Sequence, residues 1–138
     1  MAALARLHHI GFVVSSVENA MPGFVRSMKA QWDGQSFDDP LQKARVAFLT
    51  TRVGEPQIEL VEPLGADSPV LSFLREKGGG LHHVCYEIAD LEQELRDFRS
   101  RGGFIAKRPK PAVAFGGRHV AWVITAEKLL VELLQDHL

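Results

Sequence analysis

At 138 residues, 46% of them hydrophobic and 24% charged, the chain has the composition of one ordinary globular domain, long enough to bury a real core. A formal net charge of −1 gives no reason to expect an electrostatic nucleic-acid or membrane binder, and no run approaches the roughly 18–20 apolar residues that span a bilayer. The one cysteine, Cys85, has no internal disulfide partner, and residues 1–8 lack the apolar stretch of a signal peptide, so a soluble cytoplasmic protein is expected.

Residues 9–14 are short, apolar and β-branched and predict a strand. Val17, Ala20, Met21, Phe24, Val25 and Met28 then follow helical spacing, with Ser16 or Asn19 as cap and Pro22 fitting only in the first turn. Residues 32–37 predict a weak strand. Residues 44–51 and 57–62 predict stronger ones, joined by a turn around Gly54, Glu55 and Pro56. This first module, residues 7–62, therefore reads β-α-β-β-β.

A linker follows over residues 63–80. It holds a short helix that begins at Ser68-Pro69 and ends at Gly78-Gly79-Gly80. The second module, residues 81–135, repeats the plan. It has a strand at 83–88, a loose capping box at Asp90 and Gln93, a helix with Leu91, Leu95 and Phe98 inward, and strands near 103–107, 118–124 and 129–135. Lys107-Arg108-Pro109-Lys110-Pro111 reads as a basic loop.

The two modules are alike in sequence. Residues 7–18, LHHIGFVVSSVE, match residues 81–92, LHHVCYEIADLE, 74 positions on. At the same offset, Val46-Ala47-Phe48-Leu49 matches Val120-Ala121-Trp122-Val123. At offset 73, Ile58-Glu59-Leu60 matches Val131-Glu132-Leu133. Such a repeat means two copies of one supersecondary unit. Each copy carries a histidine on its first strand, His9 or His83, and a glutamate on its last, Glu59 or Glu132.

Side chains alternate across a strand, so His83 shares a face with Cys85 and Glu87, and Glu132 is flanked by Leu130 and Leu134. A buried carboxylate without compensation costs several kcal/mol, and a divalent cation compensates it well. Packed about a pseudo-two-fold axis, the two copies can bring two imidazoles and two carboxylates to one point. That is a net-neutral N/O shell for Co, Ni, Mn, Fe or Zn with room for two waters. The plainer reading makes the four residues solvated or edge-strand positions, and the pairing across the repeat weighs against it. His8 and His82 also correspond, point to the other face, and read as structural. Cys85 reads as a small apolar filler on the ligand face, with Gly11 as its counterpart.

With these motifs in hand, the sequence resembles the vicinal oxygen chelate superfamily, the fold of glyoxalase I and methylmalonyl-CoA epimerase, and is most similar to the epimerases. The likeness covers residues 7–135. It is carried by IELVEPLGADSPVLSFL at 58–74, GLHHVCYEI at 80–88, RVAFL at 45–49 and LVELLQ at 130–135. It implies an α+β fold in which two βαβββ modules form one cupped, barrel-like mixed sheet around a divalent metal held by His9, Glu59, His83 and Glu132. It also implies a metal-dependent isomerase that abstracts a proton next to a carbonyl through an enolate held on the metal, acting on an acyl thioester such as an acyl-CoA. Glu59 and Glu132 would move protons, and a homodimer is implied.

Three departures from the epimerase pattern bear on the reaction. Leu41 stands where that pattern carries a carboxylate, with Asp39 two residues away as a substitute or a loop residue. Ile124-Thr125-Ala126-Glu127 replaces a His-Pro-Lys turn, and Ala114-Phe115-Gly116-Gly117-Arg118 replaces a Gly-Ala-His-Gly-Lys loop. A glyoxalase I-type lyase acting on a hemithioacetal needs no carboxylate at position 41 and stays open. So does a non-catalytic small-molecule binder of the same superfamily. Arg45 and Arg118 precede the matching strands and, with the pseudo-equivalent Phe48 and Trp122, are the expected substrate contacts. Lys43, Lys107, Arg108 and Lys110 are further candidates for binding anions.

Overall fold

A computed structural model describes residues 4–137 and contains three α-helices and nine strands among them. The chain divides into two compact units, one of residues 9–82 and the other of residues 83–137 with residues 4–8. The second has the βαβββ plan expected from the repeat, the first has that plan with its second strand split in two, and the whole is mixed α+β.

In the first unit, β1 (Arg6–Val13) contributes from His9 onward. Helix α1 (Val17–Met28) starts at Ser16, whose hydroxyl accepts from the Asn19 N–H, while Glu62 accepts from the Val17 N–H at 2.8 Å. Both satisfy amides that a helix N-terminus leaves open. Pro22 lies in the second turn, not the first. The missing bond falls at Glu18, whose exposed carbonyl side water can serve. Residues 32–37 do not form one strand. Instead β2 (Gln31–Trp32) and β3 (Phe37–Asp39) pair in turn with one edge of β4 (Ala44–Thr50). On the other edge, β4 is antiparallel to β5 (Gln57–Pro63), which runs parallel to β1. Val17 and Met21 of α1 pack on Ala47, Leu49, Ile58 and Leu60 and form the core of this unit. Helix α2 (Pro69–Lys77) follows Ser68, packs against β5 and ends at Gly78 in the left-handed region.

In the second unit, β6 (Gly80–Ile88), contributing from His83, runs parallel to β9 (Leu130–Gln135). Between them in sequence come α3 (Leu91–Ser100), β7 (Phe104–Pro111) and β8 (His119–Ile124), with β8 antiparallel to both β7 and β9. Asp90 accepts from the Gln93 N–H, but the Gln93 side chain turns to Asp97, so only half of the capping box forms. Leu91 and Leu95 pack on Ala121, Val123, Val131 and Leu133. The expected basic loop is strand: Lys107 to Pro111 belongs to β7. The proline amides cost nothing there because β7 pairs on one side only.

Candidate metal and substrate site

The core-forming alternation decides which side chains face away from the helices. In the first unit, Ala47, Leu49, Ile58 and Leu60 point to α1, so Phe48 and Glu59 point the other way. Parallel pairing sets Gly11 opposite Glu59, and antiparallel pairing sets Phe48 opposite the same glutamate. His9, two residues before Gly11, shares that face. Its Nε2 lies 3.3 Å from Glu59 Oε1, and its ring meets Phe48 edge-on at 5.3 Å. His9 is 0% exposed and Glu59 5%.

The second unit repeats this arrangement. Cys85 is opposite Glu132 on the parallel side and Trp122 is opposite it on the antiparallel side. His83 Nε2 lies 3.4 Å from Glu132 Oε1, and its ring meets Trp122 edge-on at 4.7 Å. His83 is 3% exposed and Glu132 5%. The structure thus brings together His, Glu and an aromatic within each unit, at the positions the repeat predicted.

Each pair suits one divalent cation by donor type and spacing. Nitrogen and oxygen donors about 2.0–2.2 Å from a common ion are roughly 3.0–3.5 Å apart when they occupy neighbouring positions. The observed 3.3 and 3.4 Å fall in that range.

Other expected residues are placed less uniformly. Arg45 is turned to the helix side of β4, away from Phe48. It donates to Asp38 at 2.7 and 3.2 Å and to Glu62 at 3.4 Å. The Arg45 guanidinium holds the Asp38 carboxyl below its ordinary value through these hydrogen bonds. Arg118 continues the Trp122 side of β8. It reaches Glu87 at 3.5 Å and the Gln135 carbonyl at 3.3 Å, beside the Phe115 ring, and Glu87 also takes a 2.6 Å hydrogen bond from Arg6. Asp39 is buried, and its Oδ1 accepts from the Leu41 and Gln42 N–H groups, holding a tight turn, while the Leu41 side chain is half exposed. Lys43 pairs with Asp67, and Arg108 lies 3.5 Å from Glu92. His8 packs edge-on against Phe115, and His82 against Phe73.

The sequence places Lys107 at the end of a strand near 103–107 and at the head of a basic loop, among the candidates for binding anions. The register places it directly opposite Trp122. Prolines at 109 and 111 masked the strand, and only the edge position of β7 reconciles them with it.

The family model of the Glyoxalase/Bleomycin resistance protein/Dioxygenase superfamily matches residues 8–122. Human mitochondrial methylmalonyl-CoA epimerase is 32% identical over 99 residues, 71% of this chain and 54% of the human protein, so the chain spans about half the length of that relative. The ethylmalonyl-CoA/methylmalonyl-CoA epimerase of Cereibacter sphaeroides is 29% identical over 121 residues, 87% of this chain and 88% of that protein. Among solved structures, methylmalonyl-CoA epimerase from Mycobacterium tuberculosis has the same fold, with a TM-score of 0.83 at 22% identity, covering 100% of this chain and 94% of that chain.

Proposed function

Since the chain belongs to the Glyoxalase/Bleomycin resistance protein/Dioxygenase superfamily, we propose that it is a divalent-metal-dependent isomerase that removes and returns the proton next to the carbonyl of a methylmalonyl-type acyl thioester. The carrying observation is the trio of histidine, glutamate and aromatic repeated in each unit: His9, Glu59 and Phe48, then His83, Glu132 and Trp122. One pair offers two donors, fewer than the four to six a divalent ion takes from protein and water. In this reading, as the repeat and the family resemblance imply, both pairs serve one ion. The epimerase relatives, human and bacterial, supply the reaction class.

When bound, the cation supplies Lewis-acid stabilisation of negative charge on the carbonyl oxygen. The chain's own residues do the rest. Glu59 and Glu132 hold and move the proton. Positioned carboxylates typically contribute 10²–10⁴-fold in such transfers. His9 and His83 orient the carboxylates beside them. Phe48 and Trp122 wall the reacting group and keep water from it. Arg118 and Glu87 form a charged rim beyond Cys85. Arg45 braces the start of α1 through Glu62.

A second reading rests on Leu41. A proton shuttle run by Glu59 and Glu132 alone also serves a glyoxalase I-type lyase acting on a hemithioacetal. Strands β2 and β7 each pair on one side, and a homodimer covers such edges. No helix among the described residues is long and apolar enough to cross a membrane.

The test is proton exchange followed by NMR. Metal-reconstituted protein is mixed with methylmalonyl-CoA in D₂O beside a metal-stripped control. Metal-dependent loss of the α-proton signal supports the epimerase. No exchange there, with turnover of a hemithioacetal, moves the reading to the lyase. Inactivity on both, with ligand still bound, leaves a non-catalytic binder.

A further inference from the structure

The first unit has a groove between α1 and the edge of its sheet. Glu18, Met21, Pro22 and Val25 follow i, i+3, i+4, i+7 spacing and form one stripe of the helix. Beside that stripe the sheet ends in β2, two residues long and paired with β4 alone. The stripe, with Gln31 and Trp32 of β2, lines an open groove of about 490 Å³. Small-ligand pockets are typically about 300–1,000 Å³. In the second unit, α3 meets the eight-residue β7 instead, and Ile105 of β7 joins the core beneath α3. The short β2 leaves in the first unit a space that β7 fills in the second.

Most of the lining is apolar. Met21 is buried in the core of the unit, and Val25 and Trp32 pack against that core. The Trp32 indole is fixed by its Nε1–H, which donates to the Gln35 carbonyl at 2.8 Å. Glu18 is the one ionisable side chain of the lining. Arg45 is hydrogen-bonded to Asp38 and Glu62, and of these three carboxylates Glu18 acts on it least and only through space. Three carboxylates around one guanidinium leave this end of the groove net negative. Pro22 adds to this. It has no N–H, so the Glu18 carbonyl lacks its i+4 donor. Glu18 therefore offers acceptors alone, from side chain and main chain, next to an apolar surface.

We infer that this groove is a binding site for a small organic cation, an ammonium group carrying a short alkyl body. An ammonium is a donor without an acceptor, with three N–H groups, and so matches the Glu18 carboxylate and carbonyl together. The alkyl body lies against Met21, Val25 and the Trp32 ring, where burial of apolar surface adds affinity. Phe48 and Glu59 point away from α1, so the groove is on the other face of the sheet from the His9 and Glu59 pair. The site is separate from the proposed reaction and stands whether or not that reaction is correct.

The test titrates the protein with n-pentylammonium chloride, and separately with 1-pentanol at the same salt, while following the Trp32 indole N–H signal by NMR. Wild type, Glu18→Gln and Pro22→Ala are compared. Glu18 and Pro22 are exposed, and both replacements suit a helix, so the fold is kept. Pentylammonium is expected to shift the Trp32 signal with a Kd about ten-fold below that of pentanol, and Glu18→Gln to remove that advantage. Pro22→Ala returns an amide to the Glu18 carbonyl and is expected to raise the Kd about five-fold. An unchanged Kd in Pro22→Ala, with Glu18→Gln weakened, keeps the site and overturns the part of the carbonyl. Equal affinities for ammonium and alcohol, or for wild type and Glu18→Gln, overturn the cation assignment. No shift of Trp32 with either ligand, or a shift confined to Trp122, overturns the site.

Discussion

His83 Nε2 lies 3.4 Å from Glu132 Oε1, with both residues almost wholly buried between an apolar core and the neighbouring indole of Trp122. A carboxylate in this position is held beside a nitrogen donor and lacks the hydration that would make it ordinary. Removing its charge while keeping its shape isolates its chemistry. The Glu132→Gln variant is expected to fold, to lose metal affinity, and to exchange the substrate α-proton at least about 10²-fold more slowly. Full activity with unchanged metal content would refute Glu132 as ligand and base.

Bound metal should also stabilise the fold, because the ligands are gathered only in the native chain. An ion that binds the folded state alone contributes about 2.7 kcal/mol at a free concentration 100 times its Kd. For a domain of this size that raises Tm by roughly 10 °C. Calorimetry with and without a chelator checks this, and a Tm indifferent to both metal and chelator would count against a resident ion.

Arg45 and Asp38 predict a pH signature away from the site. The Asp38 carboxyl is lowered from 3.8 chiefly by hydrogen bonds from Arg45. A depressed carboxyl contributes stability above its unfolded value, and that contribution is lost as pH falls through the folded value. Both groups are solvent-exposed, so the effect is small and salt-screened. Asp38→Asn should therefore lower Tm slightly at neutral pH, less at high salt, and not at all once the wild-type carboxyl is protonated. Melting curves across pH 2–7 would expose a difference that persists in acid, which this ion pair does not explain.

Gly79 is where a turn has no room for a side chain. Its φ is +99°, and a Cβ there would meet the Val13 carbonyl oxygen at 2.8 Å. Gly79→Ala is expected to destabilise by about 1–3 kcal/mol, read by urea denaturation. Gly54, also at positive φ but in open space, should lose less on the same change.

The repeat made much of this legible. A 74-residue offset aligned His9 with His83 and, with one residue of slippage, Glu59 with Glu132. The observed registers set Gly11 and Cys85 opposite those glutamates in matching fashion. Periodicity also found α1, α3 and the strong strands, whose main apolar faces turn to those helices, while Val120 and Leu134 pack with Cys85 on the other face. It failed where local composition contradicted context. Prolines and charges made the second half of β7 read as a loop, because nothing local reveals that a strand lies on an edge. The register shift between Ile105 and Lys107 is equally silent in sequence, so the facing of Lys107 was hidden. The facing of Arg45 was not. It is an odd number of residues from Phe48 on one regular strand, and simple alternation puts the two on opposite sides. Arg118, an even number from Trp122, shares the indole's side of β8.

The most direct test of the central claim is metal stoichiometry, measured by elemental analysis after Co²⁺ loading and dialysis. If His9, Glu59, His83 and Glu132 serve a single ion, wild type binds one Co²⁺ per chain. His9→Ala and His83→Ala, each verified as folded by circular dichroism, then both lose tight binding, although they alter different units. Two ions per chain, or full retention of one ion by either variant, would mean that the pairs act independently or not as ligands, and would contradict it.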